Sequence, residues 1–193
     1  MEQVEGSTAQ KIMDVALLLV QKHGFSGFSF RDIATEIGIK TASIHYHFPT
    51  KPDLARAMLQ EVRAGFQKEL DRIDAEVTQP EQKLRCFFNI FEDTFGDGDR
   101  LCPFCMVACA QDGVPEFVKT EVRAFWGTGE KWAAMQISAG QDAGIFNRTI
   151  SADISGRALV AMLEGAMVTA RAFDERQRLE IAANWFLNSI HAA

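Results

Sequence analysis

A helix-turn-helix pattern in residues 31–51 limits the fold of this chain more than any other feature. Ile33, Ala34 and Ile37 repeat at helical spacing, so they fall on one face of a short helix. Gly38 follows, and glycine readily takes the left-handed conformation that ends one helix and lets another begin within a few residues. The spacing predicts two short helices joined by a tight turn.

The second helix of this pair has an inward face and an outward face. Ile44 and Phe48 stand four residues apart, so both point inward. Thr41 is the expected N-cap, and Pro49 stops the helix. Thr50-Lys51-Pro52-Asp53 then has the form of a capping box that starts the next helix. An outward face of this kind enters the major groove of DNA, which makes DNA the expected partner.

The outward face and its margins supply the candidate DNA contacts. They are Arg31, Lys40, Thr41, Ala42, Ser43, His45, Tyr46, His47 and Lys51. Tyr46 lies opposite the inward pair, which favours contact with phosphate or base. The two histidines sit at the margins, where a side chain equally well caps or packs, and the hydroxyl residues have capping as their alternative role.

Lys51 occupies the first turn of the following helix, where a cation opposes the helix dipole and gains nothing locally. A nearby phosphate makes this position favourable, because the free amides of the first helical turn and the Lys51 ammonium can then bind the same anion. Lys51 is therefore predicted to contact the DNA backbone.

These residues resemble the amino-terminal domain of TetR/AcrR-type transcriptional regulators. The shared positions are Ile33-Ala34, Gly38-Ile39-Lys40, Ile44-His45-Tyr46-His47-Phe48 and Lys51. Three residues differ from the usual pattern: Lys40 stands where Ser is common, Ala42 where Gly is frequent and His45 where the first Tyr lies. The resemblance implies a dimeric repressor that an effector releases from double-stranded operator DNA, and it assigns Tyr46 to DNA-backbone contact.

Composition places the chain among ordinary globular proteins. With 193 residues, 47% hydrophobic and 24% charged, it suits one small module and a larger body. Apolar runs such as Val15 to Val20 are too short to span a bilayer. Glu2 and Glu5 stand where a signal peptide has its cationic region, so a cytoplasmic protein with no membrane partner is expected.

The formal charge of −6 lies outside the helix-turn-helix segment. Residues 1–51 carry five Lys or Arg and five Asp or Glu, which cancel. A neutral DNA-reading segment on an acidic body predicts fewer phosphate contacts than a strongly basic domain makes.

The rest of the chain is predicted to be helical. A first helix is expected from Thr8 to His23, ended by Gly24. A long unbroken helix should follow Lys51, because apolar residues recur at helical spacing; these are Leu54, Met58, Val62, Phe66, Leu70 and Ile73. The predicted fold is all-α, with a three-helix DNA-binding domain at residues 1–53 joined by this helix to an effector-binding and dimerisation domain at residues 54–193.

Two long helices are predicted near the end, Ile154 to Ala172 and Gln177 to Ile190, separated by a break around Asp174. Small residues keep the first of them slim: Gly156, Ala158, Ala161, Gly165, Ala166 and Ala170. The resemblance implies that these helices pair with a second copy as a four-helix bundle. The expected interface residues are Leu159, Met162, Leu163, Ala166, Ala170, Trp185 and Phe186. The alternative is that both are core helices of a monomer.

The body is richer in aromatic and sulfur-containing side chains than a minimal helical core requires, although most of them belong to the core. The candidate pocket residues are Phe87, Phe91, Phe95, Phe104, Met106, Phe125, Trp126, Trp132 and Met162. They predict a small apolar or aromatic effector.

Three of the four cysteines lie within eight residues, at Cys102, Cys105 and Cys109. Pro103 favours the first helical position, which puts Cys102 at an N-cap with Cys105 one turn on, where helix amides favour a thiolate and a disulfide is geometrically feasible. One interpretation is an oxidant or electrophile sensor, which some members of the resembling family contain. The other is that these thiols are small buried hydrophobes.

Other classes of protein are disfavoured. A zinc site lacks a fourth ligand unless Cys86 supplies it, and a thiol oxidoreductase using Cys102 and Cys105 needs a βαβ context that the pattern lacks. No phosphate-binding glycine loop and no catalytic metal or serine motif is present, so neither an enzyme nor a cofactor is predicted. A helical interaction protein that has lost DNA binding is the remaining alternative.

Overall fold

The computed structural model describes residues 7–110 and 113–192 of the chain. Glu2 and Glu5, on which the signal-peptide expectation depends, lie outside these residues. The described elements are α1 (Thr8–His23), a 3₁₀ turn (Phe25–Gly27), α2 (Phe30–Ile37), α3 (Thr41–His47), α4 (Lys51–Glu76), α5 (Pro80–Phe95), α6 (Pro103–Ala108), α7 (Glu116–Asp142), α8 (Ala152–Phe173) and α9 (Gln177–Ile190). Apart from an isolated bridge between Phe146 and His191, the described residues are helix, turn and connection, which confirms the all-α prediction.

The chain divides into two compact units. The head unit comprises the described residues of Met1–Arg63 and Pro103–Val122, and the body unit comprises those of Ala64–Cys102 and Arg123–Ala193. The predicted long helix is confirmed as α4, a single helix of 26 residues that continues from one unit into the other. The functional boundary between residues 53 and 54 stays a prediction.

The head unit is built around α1. Ile12, Ala16 and Val20 are fully buried on one face of this helix, and α2, α3 and α6 pack against it. Gly24 ends α1 with a positive φ of 81°, as the sequence predicts. A Cβ built on Gly24 would lie 3.6 Å from the methyl of Met106, so α6 contacts the end of α1 closely.

The body unit is held together by aromatic rings and by close helix crossings. The ring of Phe87 lies against Phe66, Phe91 and Trp132, with the Trp132 ring stacked at a centroid distance of 5.4 Å. Helix α8 crosses α7 at Gly156 and also packs along α9. None of the helices among the described residues combines the length and the apolar character that a membrane crossing needs.

Candidate nucleic-acid interface

The first helix of the predicted pair is α2, which ends at Gly38 as the sequence indicates. The Ser29 amide and hydroxyl both donate to the Asp32 carboxylate, at 2.7 and 2.8 Å, and form a capping box that starts α2. These bonds, the hydroxyl bond foremost, hold the pKa of the Asp32 carboxyl below its usual value. Gly38 ends α2 in the left-handed conformation, with φ of 71° and ψ of 34°.

Helix α3 has one buried and one exposed face. Ile44 is fully buried and Phe48 is 8% exposed, so the predicted inward pair is confirmed. The prediction that Thr41 caps this helix is wrong: Thr41 is its first helical residue, and Lys40 is the N-cap without a side-chain cap bond. Because the Ser43 amide donates to the carbonyl of Lys40 at 2.9 Å, the first turn already begins there.

The outward face of α3 consists of four exposed residues, which recur at helical spacing: Thr41, Ala42, His45 and Tyr46. Tyr46 is the most prominent, with 85% of its surface exposed. Ser43 and His47 are half-buried at the margin, and the His47 ring meets the edge of the Tyr46 ring at 5.2 Å. Outside α3, the candidate contacts Arg31 and Lys40 are also exposed.

Two residues that the sequence analysis missed share this surface. Thr8 and Ile39 line a shallow hollow together with Ala42, Ser43 and Tyr46. Thr8 is the first residue of α1, which Ser7 caps by accepting a hydrogen bond from the Gln10 amide at 3.2 Å. The cap at Ser7 is readable from the sequence, but its position beside α3 depends on packing between helices that are far apart in the chain.

The His45 ring is oriented by two contacts. Its Nδ1 lies 3.2 Å from the carbonyl oxygen of Pro49, one helical turn on. The ring of Phe30 meets it edge to face at a centroid distance of 4.9 Å. His45 is exposed despite these contacts, so its far edge faces solvent.

Lys51 is anchored on the protein, and the prediction that it gains nothing locally is wrong. Its ammonium donates to the carbonyl of Phe28 and lies over the rings of Phe25 and Phe28, at 5.0 and 4.1 Å from their centroids. Burial lowers the pKa of this ammonium, and the negative charge of Asp32 offsets part of that shift by raising it. One donated hydrogen bond leaves two N–H groups of the ammonium for another acceptor.

The capping box that precedes Lys51 is confirmed. The amide and hydroxyl of Thr50 donate to the Asp53 carboxylate at 3.1 and 2.6 Å, and the Asp53 amide donates back at 3.3 Å. This box fixes the start of α4 directly after α3.

A buried carboxylate ties α7 to α4 within the head unit. Glu121 is 7% exposed and accepts hydrogen bonds from Gln60 at 2.7 Å and Arg63 at 3.2 Å, with Arg56 at 3.9 Å. The three α4 residues lie on one face of that helix because they recur at helical spacing. Local sequence patterns do not indicate this cluster, since its partners are about 60 residues apart in the chain.

The candidate pocket residues divide between the units. Phe104 and Met106 belong to the head unit, and the other seven belong to the body unit. Five of those seven are buried: Phe87, Phe91, Phe95, Phe125 and Trp132. The indole N–H of Trp132 donates to Asp74 at 2.8 Å, and that of Trp126 donates to the buried Glu164 at 2.9 Å.

Most of the candidate dimer residues are buried within the single chain, and their role at an interface stays a prediction. Five of the seven are at most 7% exposed: Leu159, Leu163, Ala166, Ala170 and Phe186. Met162 is half-buried and Trp185 is 65% exposed. The exposed apolar side chains of α8 and α9 are instead Ile154, Val168, Phe173, Ile181 and Trp185.

The predicted cysteine helix is present as α6, which starts at Pro103 as expected. None of the described cysteines forms a disulfide. Cys102 is 4% exposed, Cys105 is half-buried, and Cys109 is exposed directly after the helix. No group of three or more His, Cys, Asp or Glu in the described part of the chain is arranged to hold a metal ion.

A helix-turn-helix with an exposed recognition face, on an otherwise helical chain, is the architecture of a DNA-binding transcriptional regulator. The family model described as bacterial regulatory proteins, tetR family, matches residues 12–58. The comparisons therefore support a TetR-family transcriptional regulator, with the match of the family model lying in residues 12–58.

Individual relatives agree with this assignment. The chain is 36% identical over 88 residues to the probable HTH-type transcriptional regulator YttP of Bacillus subtilis, a match that spans 44% of this chain and 42% of that protein. It is 22% identical over 173 residues to the HTH-type transcriptional repressor DhaR of a Mycobacterium species, covering 89% and 86% of the two chains. A TetR-family regulator from Agrobacterium tumefaciens superposes with a TM-score of 0.91 at 28% identity, covering 96% of this chain and 98% of that one.

Proposed function

We propose that this regulator is a homodimeric repressor that binds double-stranded operator DNA and leaves it when a small apolar or aromatic effector binds. In this proposal residues 1–53 read DNA, residues 54–193 bind the effector and the second copy, and the protein acts in the cytoplasm. The observation that carries DNA binding is the α3 surface, where Tyr46 is 85% exposed above a fully buried Ile44. A side chain of that size held so far into solvent is suited to contact a partner.

Release by an effector follows as a shift between conformations. A ligand that binds more tightly to a conformation of the body in which the two heads are wrongly spaced lowers the population that fits DNA. Two observations favour the body as the receptor: its buried aromatic rings, and the buried Glu164 that accepts a hydrogen bond from Trp126 at 2.9 Å. An apolar or aromatic molecule would pack against these aromatic side chains, in place of some of the contacts that they make with one another.

A gel shift with the DNA upstream of the protein's own gene tests the proposal. We expect a discrete complex that unrelated duplex does not compete away, and a panel of neutral aromatic compounds should contain members that release it. Binding of equal strength to any duplex would contradict the operator, and release by none of a broad panel would contradict the effector.

Lys51 is proposed to contact a DNA phosphate in addition to its bond to Phe28. Lys51→Met keeps apolar packing against the rings of Phe25 and Phe28 but removes the ammonium. We expect weaker binding to all DNA sequences, and the slope of log affinity against log salt should fall by about one. Fluorescence anisotropy across a salt series measures this slope.

The stability of Lys51→Met needs a separate measurement, since loss of the cation–π and carbonyl contacts should cost about 1 kcal/mol. Binding is therefore measured well below the melting temperature. An unchanged salt slope would show that Lys51 only supports the fold.

A thiol sensor is the second candidate, favoured by a half-buried thiol on α6, Cys105, and an exposed thiol directly after that helix, Cys109. The predicted pair was Cys102 and Cys105, but Cys102 is buried, so we assign the reactive role to Cys105 and Cys109. Both belong to the head unit with α1, against which α6 packs. A modified thiol there would act directly on the scaffold of the recognition helix.

Thiol sensing predicts that mild peroxide releases the protein from DNA. We expect Cys109→Ser to remove this response, while Cys102→Ser, at the buried position, retains it. If both variants respond as the wild type does, thiol sensing fails. We propose no catalytic role for these thiols, and turnover in a disulfide-reduction assay would contradict that.

A further inference from the structure

Helix α3 presents a histidine whose hydrogen-bonding role is set by the protein. His45 Nδ1 lies 3.2 Å from the carbonyl oxygen of Pro49. A carbonyl oxygen only accepts hydrogen bonds, so Nδ1 carries the proton in this contact. In the neutral ring the other nitrogen, Nε2, is then left without a proton and is an acceptor.

The position of the ring leaves Nε2 for a partner outside the chain. His45 is exposed, its Nδ1 points back at the backbone, and the Phe30 ring packs against it edge to face at a centroid distance of 4.9 Å, from which we infer that Nε2 is open to a partner. Among the described residues, Nε2 has no hydrogen-bond partner. Its neighbours on the exposed face of α3 are Thr41, one turn earlier, and Tyr46.

We propose that His45 Nε2 accepts a hydrogen bond from the exocyclic amino group of an adenine or a cytosine, and so sets the base preference at one position of each half-site. This inference rests on the proposed operator binding. In the major groove only the adenine N6 and the cytosine N4 groups donate, whereas guanine and thymine present acceptors there and thymine a methyl group. An unprotonated Nε2 can accept a hydrogen bond from an amino group of a base, and it is repelled by a base that presents an acceptor at the same place.

The contacts of the ring make this preference sharper than an unrestrained histidine would. The Pro49 carbonyl holds one tautomer, and the Phe30 ring limits rotation of the imidazole. Because the His45 side chain is already held in one orientation, it loses little rotamer entropy when it binds a base. In the neutral ring with its proton on Nδ1, Nε2 has no proton to donate, so contact with a phosphate oxygen would require a second proton on the ring.

Selection of bound duplexes from a random pool, followed by an analogue at the selected position, tests the inference. We expect the full-length wild type to enrich adenine or cytosine at one position of each half-site, and His45→Phe, which keeps a ring against Phe30, to lose that preference alone. At that position, purine without its 6-amino group, or 2-pyrimidinone in place of cytosine, should weaken wild-type binding about five- to tenfold. The same analogue should leave the affinity of His45→Phe unchanged.

The outcomes separate this inference from the proposed function. If the wild type enriches no sequence, operator binding fails and the inference fails with it. If the wild type enriches a sequence and His45→Phe enriches the same one, or the analogue weakens both proteins equally, only the role of His45 is overturned. Nitrogen-15 NMR of the wild-type His45 ring is an independent check that needs no variant: we expect the proton on Nδ1, and a neutral ring with its proton on Nε2 would overturn the inference.

Discussion

Trp185→Glu should convert the protein from a dimer to a monomer at micromolar concentration and lower its operator affinity by about 10²- to 10⁴-fold. Trp185 is 65% exposed on α9, and Ile181, one turn earlier, is 62% exposed. Trp185 and Ile181 line one open hollow together with Met162 and Ala166 of α8, so the two helices present an apolar surface there. Such a surface is typical of an interaction site, and a charge at Trp185 is costly to bury.

The expected loss of operator affinity follows because a dimer holds two head units together. When both recognition helices belong to one dimer, the second contact is intramolecular, and its advantage is lost when the dimer dissociates. Sedimentation gives the oligomeric state, and fluorescence anisotropy with a selected duplex gives the affinity. Met135→Glu is the matched control, because Met135 is 63% exposed but lies on α7. A dimeric Trp185→Glu protein, or an equally monomeric Met135→Glu protein, would contradict the assignment of this face.

Gly156→Val should destabilise the body by more than about 3 kcal/mol, because no space exists for its first added carbon. A Cβ on Gly156 would lie 2.7 Å from the carbonyl oxygen of Glu130 and 3.0 Å from the backbone nitrogen of Ala134, both on α7. Backbone atoms do not move aside as a flexible side chain does, so α7 and α8 would have to separate. The ordinary gain in helix propensity on replacing glycine is smaller, less than about 1 kcal/mol.

Thermal unfolding measures this loss. For a chain of this size we expect the melting temperature to fall by roughly 6–12 °C. Gly65→Val is the matched control, since Gly65 is exposed on α4 and a Cβ there meets nothing within 4 Å. Equal melting temperatures for the two variants would show that the crossing at Gly156 tolerates separation.

Local sequence patterns predicted the elements of the head well. The bounds of α1, the Gly38 turn and the box between Thr50 and Asp53 each depend on residues within four positions of one another, which a sequence displays directly. The cap of α3 was misassigned by one residue, because a threonine at a helix start suits both the cap and the first turn.

Contacts between distant segments could not be predicted in the same way. Lys51 turns towards Phe28, 23 residues earlier, and nothing in its own helix indicates this. In α8 the helical period showed that an apolar face exists, yet it could not tell which face the chain itself buries. Leu159 and Leu163 face the chain's own core, whereas Ile154 and Val168 face outward.

A hydroxyl-radical footprint of the wild type on its selected operator tests the central claim most directly. The account predicts two protected patches on one side of the duplex, their centres about one helical turn or roughly 34 Å apart or a multiple of it, because two copies each place α3 in a major groove. Tyr46→Ala should weaken both patches together. A single patch, or uniform protection along the duplex, would contradict a dimer that reads DNA through α3.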